Sequence, residues 1–162
     1  MRTWLALPCL LLVACGSGAI ESPESLARSV FEAVRTRNQN AFLSYQEQMT
    51  DLELQCPALD ATSRAEAQSE LNLARDEAIR SLEGCLQLVR LDGARFVRAD
   101  RSPAVILNFR WTSCQSTLSF EFLRVTFDVG GTPGTLLVSK VANIGGRWVF
   151  QDGVRLCEGP RP

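Results

Sequence analysis

Leu118-Ser119-Phe120-Glu121-Phe122-Leu123-Arg124-Val125-Thr126-Phe127-Asp128-Val129 alternates apolar and polar side chains. A period of two belongs to a half-buried strand, because successive side chains leave a strand on opposite faces. The alternation changes phase part-way. Leu118, Phe120 and Phe122 share one parity, whereas Val125, Phe127 and Val129 share the other. A β-bulge between Phe122 and Val125, bending one long strand, is the expected reason.

The strands on either side follow from their turns. Gly130-Gly131-Thr132-Pro133-Gly134 reads as a hairpin turn, leading into a strand over 136–144. Gly145-Gly146 then suits a two-residue turn of the primed kind, and Arg147-Trp148-Val149-Phe150 closes the sheet. Upstream, Val105, Leu107, Phe109 and Trp111 alternate with Ile106, Asn108 and Arg110, another half-buried strand after the Asp92-Gly93 turn.

Before the strands the apolar period lengthens to that of a helix. Ser22-Pro23-Glu24 is a good helix start: Ser caps, Pro suits the first helical position, and Glu complements the dipole. Leu26, Val30 and Val34 then form one face with Ala27, Phe31 and Ala33. Asn38 or Asn40 is placed to cap a second helix carrying Ala41, Phe42, Tyr45 and Met49. A lone Tyr on such a face is expected as a half-buried core residue. Asp60 or Thr62 caps a long helix in which Leu71, Ala74, Ala78 and Leu82 form a stripe. Asp76 and Arg80 stand four apart in the favourable order. Gly84 is the expected stop, with Cys85 just beyond it. Helices first and an antiparallel meander afterwards give an α+β fold, with N-terminal helices packed on one face of a curved antiparallel sheet.

Composition narrows the function. The chain has 162 residues, 46% of them hydrophobic, and a formal charge of -1. That is enough for one domain with a real core. A near-neutral domain lacks the electrostatic footprint of a nucleic-acid binder. Basic residues are almost all Arg, with Lys140 the one Lys, and there is no His. The commonest general base and the commonest neutral metal ligand are therefore both missing. No cofactor signature is present.

The N-terminus gives an address. Met1-Arg2 is a small positive region, and Trp4 to Ala14 is an apolar run too short to remain as a membrane-spanning helix. Leu12-Val13-Ala14-Cys15 resembles the lipobox of bacterial lipoprotein precursors. The resemblance implies that residues 1–14 are a signal peptide and that Cys15 carries lipid. Residues 15–21, beginning Cys15-Gly16-Ser17-Gly18, then form a flexible tether. It further implies a place in the cell envelope, bound to the outer membrane and facing the periplasm, with acyl chains as the anchor. Gly at position 16, rather than Asp, is what points to the outer membrane.

The same reading sorts the cysteines. Cys9 leaves with the leader and Cys15 is acylated, so Cys56, Cys85, Cys114 and Cys157 remain for disulfides in an oxidising compartment. With no C-x-x-C pair and no His, zinc is disfavoured. A catalytic thiol is disfavoured for want of a His partner. Cys56 and Cys85 flank a helix of about 33 Å, too long for the few flanking residues to span. Two pairings stay open: Cys85–Cys114 with Cys56–Cys157, which is preferred, and Cys56–Cys114 with Cys85–Cys157.

The order of elements is similar to the NTF2-like (cystatin-like) superfamily. The residues that carry this are the opening helix over 22–36, the restart at Asn38–Tyr45, the long helix, and the ending Gly145-Gly146-Arg147-Trp148-Val149-Phe150-Gln151-Asp152. The likeness implies a single cone-shaped domain over 22–158; after it, Gly159-Pro160-Arg161-Pro162 reads as a disordered tail. It also implies a pocket between sheet and helices, where family enzymes place Asp, His or Tyr. The candidate carboxylates here are Glu121 and Asp128. Both alternate with apolar neighbours and are expected on the solvated face, Glu121 opposite Arg110. A non-catalytic envelope protein that binds a small apolar ligand or a protein partner is therefore expected. The alternative is a pocket enzyme of the isomerase, dehydratase or hydrolase kind, using a carboxylate base.

Overall fold

The computed structural model describes residue 20, residues 22–108 and residues 117–162. Four helices come first: α1 (Pro23–Arg35), α2 (Gln39–Ser44), α3 (Met49–Gln55) and α4 (Ala61–Leu88). Five strands follow: β1 (Arg95–Arg101), β2 (Val105–Asn108), β3 (Thr117–Val129), β4 (Thr132–Ile144) and β5 (Arg147–Glu158). They form an α+β fold with a curved, open antiparallel sheet in the order β1-β3-β4-β5. β2 pairs with β3 beyond the end of β1.

The helix starts follow their caps. Ser22 Oγ accepts from Ser25 N, Asn38 Oδ1 from Ala41 N, and Asp60 Oδ1 from Ser63 N. The single second helix expected over Ala41 to Met49 is instead two short ones. The chain between them turns aside to meet the sheet. Gly84 does not end α4, which runs four residues further and places Cys85 inside the helix. Packing explains the difference: Cys85 and Leu82 are both 2% exposed against the core, and that burial outweighs the weak helix propensity of one glycine. Arg80 pairs with Glu77 at 2.8 Å, three residues away, and not with Asp76.

β1 was not foreseen, because its alternation is hidden among arginines. It pairs with β3 from Arg95↔Asp128 to Arg101↔Leu123. The expected bulge also lies elsewhere. Glu121 pairs with Val141 but Leu123 with Val138, so the extra residue is in β4, at Ser139-Lys140, where Lys140 has φ 48°. β3 itself keeps its count. Leu118 and Phe120 therefore point to the opposite face from Leu123, Val125 and Phe127. They gather with Ala142, Ile144 and Val149 in a small second core.

The main core lies between the helices and the sheet. α1 contributes Leu26, Val30, Phe31 and Val34, and α2 contributes Phe42. Phe31 meets Phe127 at 5.7 Å between ring centroids, and Phe42 meets Phe150 at 4.9 Å. α4 lies close on β5 at Gly153, which has φ 86°. A Cβ there would fall 2.9 Å from Ala78 Cα. Ser81 Oγ accepts from Val154 N at this crossing and fixes the helix to the strand.

The outer edge of β5 is closed by a succession of segments. Trp148 N donates to Ile20 O, Phe150 N to Tyr45 O, and Glu47 N to Phe150 O. Ser81 covers Val154 N, and Arg90 N donates to Pro160 O just past the strand. The C-terminal residues 159–162, expected as a disordered tail, are thus held at Pro160. The other edge, β1, is protected differently: it carries Arg95, Arg98 and Arg101, and a bulge at Val97.

Candidate functional site

A cleft of about 450 Å³ lies between α4 and the second half of β5. The disulfide Cys85–Cys157, with Cα atoms 5.4 Å apart, lines it beside Val154. α4 supplies Glu77 and Leu88, and β5 supplies Asp152 and Arg155. The charges are answered locally. Asp152 accepts from Arg155 and lies 3.2 Å from Lys140 Nζ, while Glu77 holds Arg80. Leu88 is 61% exposed at the rim. Such a cleft offers apolar contact at one side and paired charges at the other, the chemistry of a binding surface.

The cleft exists because the chain brings Cys85 and Cys157 together. The preferred pairing, Cys85–Cys114 with Cys56–Cys157, is therefore overturned in favour of the other combination's Cys85–Cys157. The reason is the continued α4: Cys85 faces the sheet one turn further along the helix, level with the last residues of β5. Cys56 is also disulfide-bonded. Cys114, like Cys9 and Cys15, lies outside the described residues, as do Arg110, residues 1–14 and residues 15–19 and 21 of the tether.

The carboxylates are placed unlike their pattern. Glu121 is not on a solvated face. It is 8% exposed, on the helix side of the sheet, because β3 keeps its parity where a bulge was expected. Its partner is Arg101, which donates to its two oxygens at 2.6 and 2.5 Å and lies 5.6 Å from the Trp148 ring. Asp128 lies on the other face of β3 and is half-buried, its side chain 22% exposed. It braces the β3–β4 turn by accepting from Gly131 N, and it meets Arg95 at 3.4 Å.

The most perturbed acid is one the sequence did not single out. Glu47 belongs to the short segment after α2 that lies along the β5 edge, where Gln46 bridges to Phe150 in parallel. Its Oε2 accepts from Gln151 Nε2 at 2.5 Å, while its Oε1 is buried without a partner. Burial, chiefly, pushes the Glu47 carboxyl up to about 7, and the nearby charge of Asp51 adds to this. Lys140 acts in the opposite sense. Asp51 itself is buried and committed to Arg147, which donates to it at 2.5 Å and to Ser44 O at 2.6 Å. A run of polar residues, Gln46-Glu47-Gln48, carries no signal that it will be buried. Only the β5 edge makes it so.

Among the described residues no group of three or more Cys, Asp or Glu is arranged to hold a metal ion. No described helix is long and apolar enough to cross a membrane. No family model, no curated protein and no solved structure matches this chain.

Proposed function

We propose that the protein is a lipid-anchored protein of the bacterial envelope that acts by binding, through the cleft between α4 and β5, a protein partner or a small ligand. The observation that carries this is the filling of the fold. Phe31, Phe42, Phe127 and Phe150 are fully buried and pack the space between helices and sheet. The cleft over Cys85–Cys157 opens to solvent. The disulfide suits an exported domain, and the leader with Cys15 supplies the route and the anchor. We read the architecture as an NTF2-like cone, on the order of its elements and the bend of its sheet.

Mass spectrometry of the protein taken from membranes tests the reading. A chain beginning at an acylated Cys15, with Cys85 and Cys157 linked, is the expected result. A chain that still begins at Met1 and carries no lipid overturns the anchor. Binding is tested by Leu88→Asp and Arg155→Glu, which should each weaken capture of the co-purifying ligand or partner without changing the fold.

A carboxylate-base enzyme is the second reading, and Glu47 is the observation in its favour. A buried carboxyl that titrates near neutral pH has the acidity general catalysis needs. Glu47 does not line the cleft, however. This reading requires a turnover that is lost in Glu47→Gln while the fold persists.

A further inference from the structure

The described chain reaches the sheet at Ile20, whose carbonyl accepts from Trp148 N at 3.1 Å. Trp148 is the second residue of β5, next to the Gly145-Gly146 turn. We propose that this end of the sheet is a membrane-docking surface, held against a phospholipid bilayer by the lipid on Cys15. The proposal rests on the lipid-anchor reading above.

Length supplies the first argument. The five peptide units from Cys15 to Ile20 reach at most about 18 Å when fully extended. β3 and β4 have 13 residues each, so the sheet is about 40 Å long. A tether shorter than half the sheet, fixed at one end of it, keeps that end beside the lipid. The Gly130-Gly131 end is carried away from it.

Side-chain chemistry supplies the second. Leu54 is 67% exposed and stands against the turn, with its Cδ1 2.9 Å from where a Cβ on Gly145 would be. Ile106, 69% exposed, pairs with Ser119 near the same end of β3. Trp148 is half-buried there, and the charge of Arg147 is answered by Asp51. Apolar side chains with an aromatic and a satisfied arginine suit the boundary between headgroups and acyl chains. The far end carries charge instead: Arg95, 80% exposed, pairs with Asp128 beside the Gly130-Gly131 turn, and Arg98 with Asp100 forms an exposed pair between there and mid-sheet. In this orientation the cleft, which lies along the later half of β5, opens away from the bilayer.

The test is amide hydrogen exchange on the full acylated chain in vesicles of phosphatidylethanolamine and phosphatidylglycerol, with the Cys15→Ser chain in solution as reference. Exchange at residues 144–148 should slow several-fold on vesicles, while Arg95, Gly130 and Gly131 keep their solution rates. Replacing both Leu54 and Ile106 by Asp should abolish the slowing in a chain that stays anchored. A chain that fails to float with the vesicles overturns the lipid-anchor reading itself. A chain that floats, but exchanges at 144–148 as fast as in solution, or slows at Gly130-Gly131 instead, overturns the docking surface.

Discussion

Glu47 holds a carboxyl in a place that favours its neutral form. In the unfolded chain it titrates near 4.5, and in the fold near 7. Below about 4.5 both states hold the proton, and the group does not oppose folding. As pH rises the unfolded chain ionises first, so stability falls, and the loss is complete above about 7. The shift corresponds to at most roughly 3 to 4 kcal/mol. Urea denaturation between about pH 4 and pH 8 should show this decline, and Glu47→Gln should flatten it. A wild-type profile no steeper than that of the variant would show that Glu47 keeps its ordinary acidity. Ser139 makes a different case. It is fully buried opposite Gly153, and its hydroxyl has no hydrogen-bond partner. Ser139→Ala removes an unsatisfied group without leaving a large hole. Thermal unfolding should find the variant as stable as the parent or more stable by about 1 kcal/mol. Neither residue was legible beforehand. Their types fit a surface, and only the bulged β4 and the closed β5 edge put them inside.

At the level of elements, the caps and apolar stripes were legible and the ends were not. Ser22, Asn38 and Asp60 cap where their side chains suggest, because a cap is a local interaction between residues three apart. Gly84 failed as a stop because the end of α4 is set by what Cys85 and Leu82 pack against. It lies in a helix interior, and a Cβ there would meet nothing within 4 Å. Gly84→Ala should therefore raise stability by about 0.5–1 kcal/mol, read as a higher denaturation midpoint with an unchanged slope. A lower midpoint would mean that α4 needs the flexibility of that glycine. The phase change in β3 was legible as well, but its cause was not. An alternation that switches parity is compatible with a bulge in the strand itself, or with a strand that buries each face in turn. The second holds here, since a second small core covers Leu118 and Phe120. That choice also turned Glu121 inward, so one misplaced residue in the register moved a candidate carboxylate from solvent to an ion pair with Arg101.

For the molecule as a whole, the class of fold followed from the order of helices and strands, whereas the pairing of cysteines depended on where α4 stops. Cys85–Cys157 closes a loop with a sequence separation of 72 residues. Loop-closure entropy gives such a link about 2–5 kcal/mol. Complete reduction should lower the thermal midpoint by several degrees, and an unchanged midpoint would show that the bridge adds nothing to stability. The closed edge of β5 has a consequence in time. β5, whose outer edge other segments cover, is the last of the described strands in chain order. Its partners at Ile20, Tyr45, Glu47 and Ser81 are finished long before it and cannot reach their final contacts without it. Contacts of such high sequence separation make folding slow, because distant parts of the chain must meet before the enthalpy is gained. A chain interrupted before Arg147 leaves the segments at Ile20, Tyr45–Glu47 and Ser81 without their strand. Closure of that edge thus waits for β5, the last of the described elements in chain order.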